Sequence, residues 1–336
     1  MDVRIGVVGV GALGYHHARI LRDVAGANLV GVHDASGERL AAVAAELGVR
    51  PFPQLDDLLG AIDAATIVVP TPAHFEIASD VLGRRLHALI EKPIATTLAE
   101  ADALCALATR NGVVLQTGHV ERFNRAIRAA LPYVDRPRFI ESNRLAPFNP
   151  RGSDVAVVLD LMIHDIDLVH TLVGGPVASV TAVGVPVLTP FPDMANARLE
   201  FASGAVANIT ASRVSRERMR KLRVFQPSGY LTLDLAGGTG ELYRLRRDVD
   251  LEAFVRGAQG AQAIESYVER IPLEAPEGEP LRLELESFIQ AVQGRGPVAV
   301  SGEEGRDALA IALKIVGAIE RGMPALADAP RAALRA

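Results

Sequence analysis

A chain of 336 residues, 49% of them hydrophobic, is long enough for two domains with separate cores and too long for one small domain. Its net charge of −5 gives no general attraction to nucleic acid or to an anionic membrane surface, so any phosphate it binds must be held locally. The single cysteine, Cys105, cannot form an internal disulfide, the opening residues read as a strand, and no apolar run reaches about 18 residues; a cytoplasmic protein is expected.

Ile5 to Val8 is an apolar, β-rich run that leads directly into Gly9-x-Gly11-x-x-Gly14. In that spacing Gly9 allows a tight turn, Gly11 keeps side chains away from a pyrophosphate, and Gly14 lets the next helix pack against the strand. The N–H groups at the helix start, on Ala12, Leu13 and Gly14, would then face the phosphates. A second apolar strand, Asn28 to His33, ends at Asp34, which is 34 − 14 = 20 residues past the last glycine. There a carboxylate binds the adenosine ribose and repels a 2′-phosphate, so NAD is expected over NADP, with Arg39 as the one residue that argues the other way.

Ser36 caps a predicted helix to about Leu47, with Gly48 as its stop. A third strand, Ala64 to Val69, ends in Pro70-Thr71-Pro72-Ala73-His74. Thr71 and Pro72 can simply start a helix, but they lie with His74 at a strand's carboxyl end, where open α/β sheets bind ligands, and are expected to line the nicotinamide pocket. The strand His87 to Ile90 delivers Glu91-Lys92-Pro93 to the same edge, and Thr97-x-x-Glu100 reads as a capping box for a helix to Arg110. The strand Val113 to Thr117 leads to His119, Arg122 and Asn124. Strand and helix alternate throughout, so residues 1–120 are predicted to form a doubly wound parallel sheet.

Residues 121–324 read differently, as short strands separated by glycine turns, which predicts a large, mostly antiparallel open sheet. Helices at residues 284–292 and 303–320 are assigned to one face of it, and residues 325–336 to a loose tail. Before the sheet comes a predicted helix, Asp154 to Val173, on which Asp160, His164 and Asp167 share one face at i, i+4 and i+7. That stripe is either a half-exposed helix face or a carboxylate that orients an imidazole for proton transfer. No further His, Cys or Glu cluster stands nearby, so no metal is expected. Arg144 and Arg151 flank the helix and could bind an anion, while Arg213 to Arg223 reads as a solvated or interface face of the sheet.

Taken together, the GVGALG turn, Glu91-Lys92-Pro93 and Asp160-x-x-x-His164 resemble the Gfo/Idh/MocA oxidoreductase family over nearly the whole chain. The resemblance implies a Rossmann domain, a C-terminal α/β domain, NAD(P)-linked oxidation of a sugar or cyclitol carbon, a cis-proline at Pro93, and Lys92, Asp160 and His164 as the catalytic set. A narrower likeness in Gly118 to Asn124, Arg144 to Gly152 and Asp160 to Asp167 is to the branch that oxidises C3 of UDP-N-acetylglucosamine. It implies a nucleotide-sugar substrate met by His119, Arg122, Asn124, Arg144, Arg151 and Asp167. An inositol or free-sugar dehydrogenase, and a non-catalytic NAD-binding regulator, are the alternatives. One uncovered sheet face predicts a homo-oligomer, dimer or tetramer.

Overall fold

The computed structural model describes residues 1–150, 152, 154–246 and 267–322, and the chain divides into two units. The first comprises residues 1–123 and 278–310, the second residues 124–277 and the chain from Ile311. In the first, strands β1 (Val3–Val8), β2 (Ala27–His33), β3 (Ala64–Ile67), β4 (His87–Glu91) and β5 (Leu115–Gly118) lie in the order β2-β1-β3-β4-β5, all parallel. The order reverses between β1 and β3, which sets the switch point of a doubly wound sheet beside the glycine turn.

Helices α1 (Ala12–Leu21), α2 (Gly37–Leu47), α3 (Leu55–Leu59), α4 (His74–Gly83) and α5 (Leu98–Asn111) connect these strands. Their ends follow from local chemistry. Ser36 accepts from the Arg39 N–H to cap α2, Gly48 at φ +63° ends it, and both bonds of the Thr97/Glu100 capping box are present on α5.

The assignment of residues 284–292 to the second sheet is corrected. Helix α8 (Pro280–Val292) belongs to the first unit, because its stripe of Leu281, Leu285, Phe288 and Ile289 enters the core built by Ile5 and Val7 of β1 and Ile20 and Leu21 of α1. Each such side chain, fully buried, contributes about 1.5–3 kcal/mol.

The second unit holds helices α6 (Arg125–Ala130) and α7 (Ile163–Val173). Its sheet is built from β6 (Phe139–Leu145), β7 (Val177–Val185), β8 (Met194–Phe201), β9 (Val206–Ser212), β10 (Met219–Gln226), β11 (Gly229–Asp234), β12 (Thr239–Leu245) and β13 (Val268–Leu273). The strand order is β13-β12-β11-β10-β6-β9-β8-β7, antiparallel except for β6 with β9. Alternation gives one buried face, including Ile140, Leu199, Ile209, Leu222, Leu231 and Leu242. The opposite face carries an aromatic ladder, Phe139, Phe225, Tyr230 and Tyr243, with successive ring centroids 5.7, 4.7 and 5.8 Å apart. Helix α9 (Gly302–Gly322) changes unit after Ala310 and places Ile319 under Gly184 of β7, where a Cβ would come within 2.7 Å of it. The expected tail, residues 325–336, lies outside the described residues.

Candidate active site

The turn after β1 has the shape its three glycines predict. Gly9 sits at φ +88°, and a Cβ there would lie 2.6 Å from the Val68 carbonyl oxygen. A Cβ on Gly14 would lie 1.9 Å from the Gly9 oxygen, so α1 can approach only with glycine at that place. Above Gly11 nothing stands within 4 Å, and no side chain caps α1, so the amides of Ala12, Leu13 and Gly14 end the helix as an anion-binding terminus. At the end of β2, Asp34 accepts from the Val10 N–H (2.7 Å) and the Ser36 N–H (2.8 Å), while Arg39 Nε donates to the Val10 carbonyl (2.8 Å). A pyrophosphate and a ribose diol fit this cradle.

Further along the same edge, Thr71 and Pro72 form a single 3₁₀ turn, Thr71–Ala73. His74 departs from expectation. It is buried, with Nδ1 2.8 Å from the Pro93 carbonyl and Nε2 2.9 Å from that of Val69, so it ties the end of β3 to the Lys92-Pro93 segment and presents no surface to a cofactor. Burial lowers its pKa below 6.5, against the opposing pull of those carbonyls and of Glu91. The Lys92–Pro93 bond is cis, Lys92 is half-buried, and the Glu91 carboxylate lies buried behind it.

In the second unit a π turn, Val158–Met162, precedes α7 and contains Asp160. The wider winding alters the i, i+4 stripe expected of a regular helix, and such turns are frequent at functional sites. Asp160 and His164 are half-exposed, whereas Asp167 is buried. Gly152, at φ +76°, lies so close to Asp160 that a Cβ would come within 2.8 Å of its carboxylate.

The residues expected to meet substrate are mostly held by their own units. Arg122 pairs with Glu304 at 2.7 Å. Asn124 caps α6 by accepting from the Ala126 N–H at 3.0 Å, and donates to the Leu235 carbonyl at 2.8 Å. Arg144 forms a buried ion pair with Asp165 at 2.5 Å, and Ser142 also donates to that carboxylate. His119 is buried at the end of β5, and Arg151 lies outside the described residues. Asn124 and Arg144 are thus held in place by partners within the fold, as buried polar side chains must be.

Two groups escaped the sequence reading. His17, on the buried side of α1 with Gly14, Ala18 and Leu21, points Nε2 at Glu91 Oε1, 3.2 Å away. Its signal was a histidine three residues after the last glycine of the turn. Arg213, expected on a solvated or interface face, is buried. It pairs with Asp193 (2.7 Å) and donates to the carbonyls of Gly152 (2.7 Å) and Val155 (2.8 Å), bracing the segment that leads to Asp160. Asp193 also accepts from the N–H groups of Val187, Leu188 and Thr189. Burial would raise the Asp193 pKa, but those amides and the Arg213 guanidinium hold it well below the usual carboxylate range.

A parallel sheet with this glycine turn and this carboxylate at the end of β2 defines a dinucleotide-binding α/β protein, here joined to a second, largely antiparallel sheet. Residues 3–119 match the model of an oxidoreductase family with an NAD-binding Rossmann fold, and residues 133–232 match the Gfo/Idh/MocA C-terminal domain. UDP-N-acetylglucosamine 3-dehydrogenase of Acidithiobacillus ferrooxidans is 40% identical over 95% of this chain and 98% of its own. Its solved structure superposes with a TM-score of 0.86 at 38% identity, over 96% of this chain and 99% of that one. The scyllo-inositol 2-dehydrogenase (NAD(+)) of Bacillus subtilis is 28% identical over 98% of each chain. The chain belongs to the Gfo/Idh/MocA family of NAD-binding oxidoreductases.

Proposed function

We propose that the chain is an NAD-dependent sugar dehydrogenase that oxidises C3 of UDP-N-acetylglucosamine to the 3-keto sugar, the carbonyl form an aminotransferase needs on a route to a diamino sugar of lipid A. The observation that carries this reading is the 40% identity to a UDP-N-acetylglucosamine 3-dehydrogenase over 95% of the chain. Bound NAD would supply the hydride acceptor. The first-turn amides of α1 would hold its pyrophosphate and Asp34 its adenosine ribose. Thr71, Pro72, Glu91 and His119 come from the carboxyl edge of the same sheet, where the nicotinamide half would bind. Lys92 would stabilise developing charge on the sugar oxygen. His164 would accept the hydroxyl proton while Asp160 orients and stabilises the imidazolium.

A panel of UDP-sugars, inositols and free hexoses, each with NAD and followed by absorbance of the reduced cofactor, tests the reading. UDP-N-acetylglucosamine is expected to give the highest kcat/KM. A preference for inositol would favour the activity named for the Bacillus subtilis relative, and binding of NADH with no turnover on any alcohol would leave only a cofactor-binding regulator.

A further inference from the structure

The Glu91 carboxylate is buried at the carboxyl end of β4, immediately before Lys92. It is tightly placed. Oε2 lies 3.3 Å from the Lys92 backbone N–H, and a Cβ on Gly118 of β5 would come within 2.8 Å of Oε1. His17 reaches it from α1, Nε2 to Oε1, at 3.2 Å, and is itself fully buried. The His17 Nδ1 atom is buried without a hydrogen-bond partner among the described residues. An orphaned N–H there would cost more than an orphaned lone pair, so the ring carries its proton on Nε2 and donates it to Glu91. The titratable and charged groups facing the carboxylate are His17 from α1, Lys92 next in the chain and His74 from α4. Burial pushes the Glu91 pKa up, yet the hydrogen bond from His17, the charge of that imidazole when protonated, and then the charge and backbone N–H of Lys92 outweigh it and hold the group below its ordinary 4.5.

We propose that His17 is a positioning residue for the hydride-transfer reaction: its Nε2–H fixes the Glu91 carboxylate inside the sheet edge, and that carboxylate in turn holds the backbone of Lys92. The inference rests on the reading of Lys92 as the group that stabilises charge on the sugar oxygen.

Replacing His17 by Phe keeps the volume filled and removes the donor, so burial alone then acts on Glu91. The kcat of H17F relative to wild type should fall as pH is lowered from about 8 to about 5, approaching tenfold per pH unit below the new Glu91 pKa, as a single proton requires. H17Q, which retains an N–H at similar reach, should keep the wild-type profile. E91Q should lower kcat at every pH, and H17F/E91Q should be no worse than E91Q. Infrared difference spectra of the cofactor-free protein provide a readout separate from activity: a protonated-carboxyl band should appear in H17F at low pH and vanish in H17F/E91Q. Should H17F fold poorly, H17Q against E91Q still decides, because a role confined to packing predicts that H17Q loses activity while E91Q does not. An unchanged H17F profile without the carboxyl band, or additive losses in the double variant, would overturn the proposal. A K92M variant measured alongside separates the two claims: full activity in K92M removes the underlying reading of Lys92, whereas an inactive K92M with an unperturbed H17F removes only the role of His17.

Discussion

At the scale of single residues, the proposed chemistry needs one base and one cation. A positioned general base contributes about 10²–10⁴-fold, so His164→Ala should lower kcat by that order, and Lys92→Met should do the same if the ammonium meets the developing oxyanion. NADH binding, followed by its fluorescence, should stay near wild type in both; an unchanged kcat in either variant removes that residue from the mechanism. Asp193 tests a different role. Its folded-state pKa lies below the ordinary 3.8, so its stabilising contribution is fully present above that value and is lost as pH falls through the lowered one. Asp193→Asn leaves the Arg213 guanidinium buried without its counter-ion and should cost about 3–5 kcal/mol at neutral pH. The variant's stability should also lose part of its pH dependence in the acid range. Urea midpoints across pH measure both effects, and a wild-type curve would contradict them.

At the scale of elements, local signals and long-range ones part company. The glycine turn, the α2 cap and the α5 capping box were legible in the sequence, because each is decided by residues within a few positions of one another. The π turn at Asp160 was not, since an extra residue in a helical turn leaves no mark in apolar spacing. Strand β13 was missed as well: Val268 to Leu273 gains its meaning only by pairing with β12. The same limit applies to the partners of Arg144 and Asn124: only the fold reveals Asp165 beside the one and the Leu235 carbonyl beside the other. Helix α8 was seen as a helix but given to the wrong unit, because periodicity shows that a face is apolar and not which core receives it. Phe288→Ala should therefore cost about 3–5 kcal/mol and lower the unfolding midpoint of the nucleotide-binding unit. A neutral substitution would contradict the placement of α8 in that core.

At the scale of the whole molecule, cofactor choice, assembly and reaction follow from different parts of the chain. Asp34 is held in place by two backbone amides, so its negative charge is fixed where a 2′-phosphate would have to sit; kcat/KM should be higher with NAD than with NADP. Arg39, whose Nε is engaged with the Val10 carbonyl, does not remove that charge. The aromatic ladder across β6, β10, β11 and β12, with Phe225 exposed, is the face we infer a second copy covers. Light scattering at micromolar concentration should give a dimer or larger, and a monomer would refute it. No helix among the described residues is long and apolar enough to cross a membrane. The most direct test of the central claim is label transfer from UDP-N-acetylglucosamine carrying deuterium at C3, incubated with NAD and the protein. The account predicts that deuterium appears at C4 of the reduced nicotinamide, one atom per 3-keto sugar formed. Deuterium released to water, or left on the sugar while NADH accumulates, would contradict it.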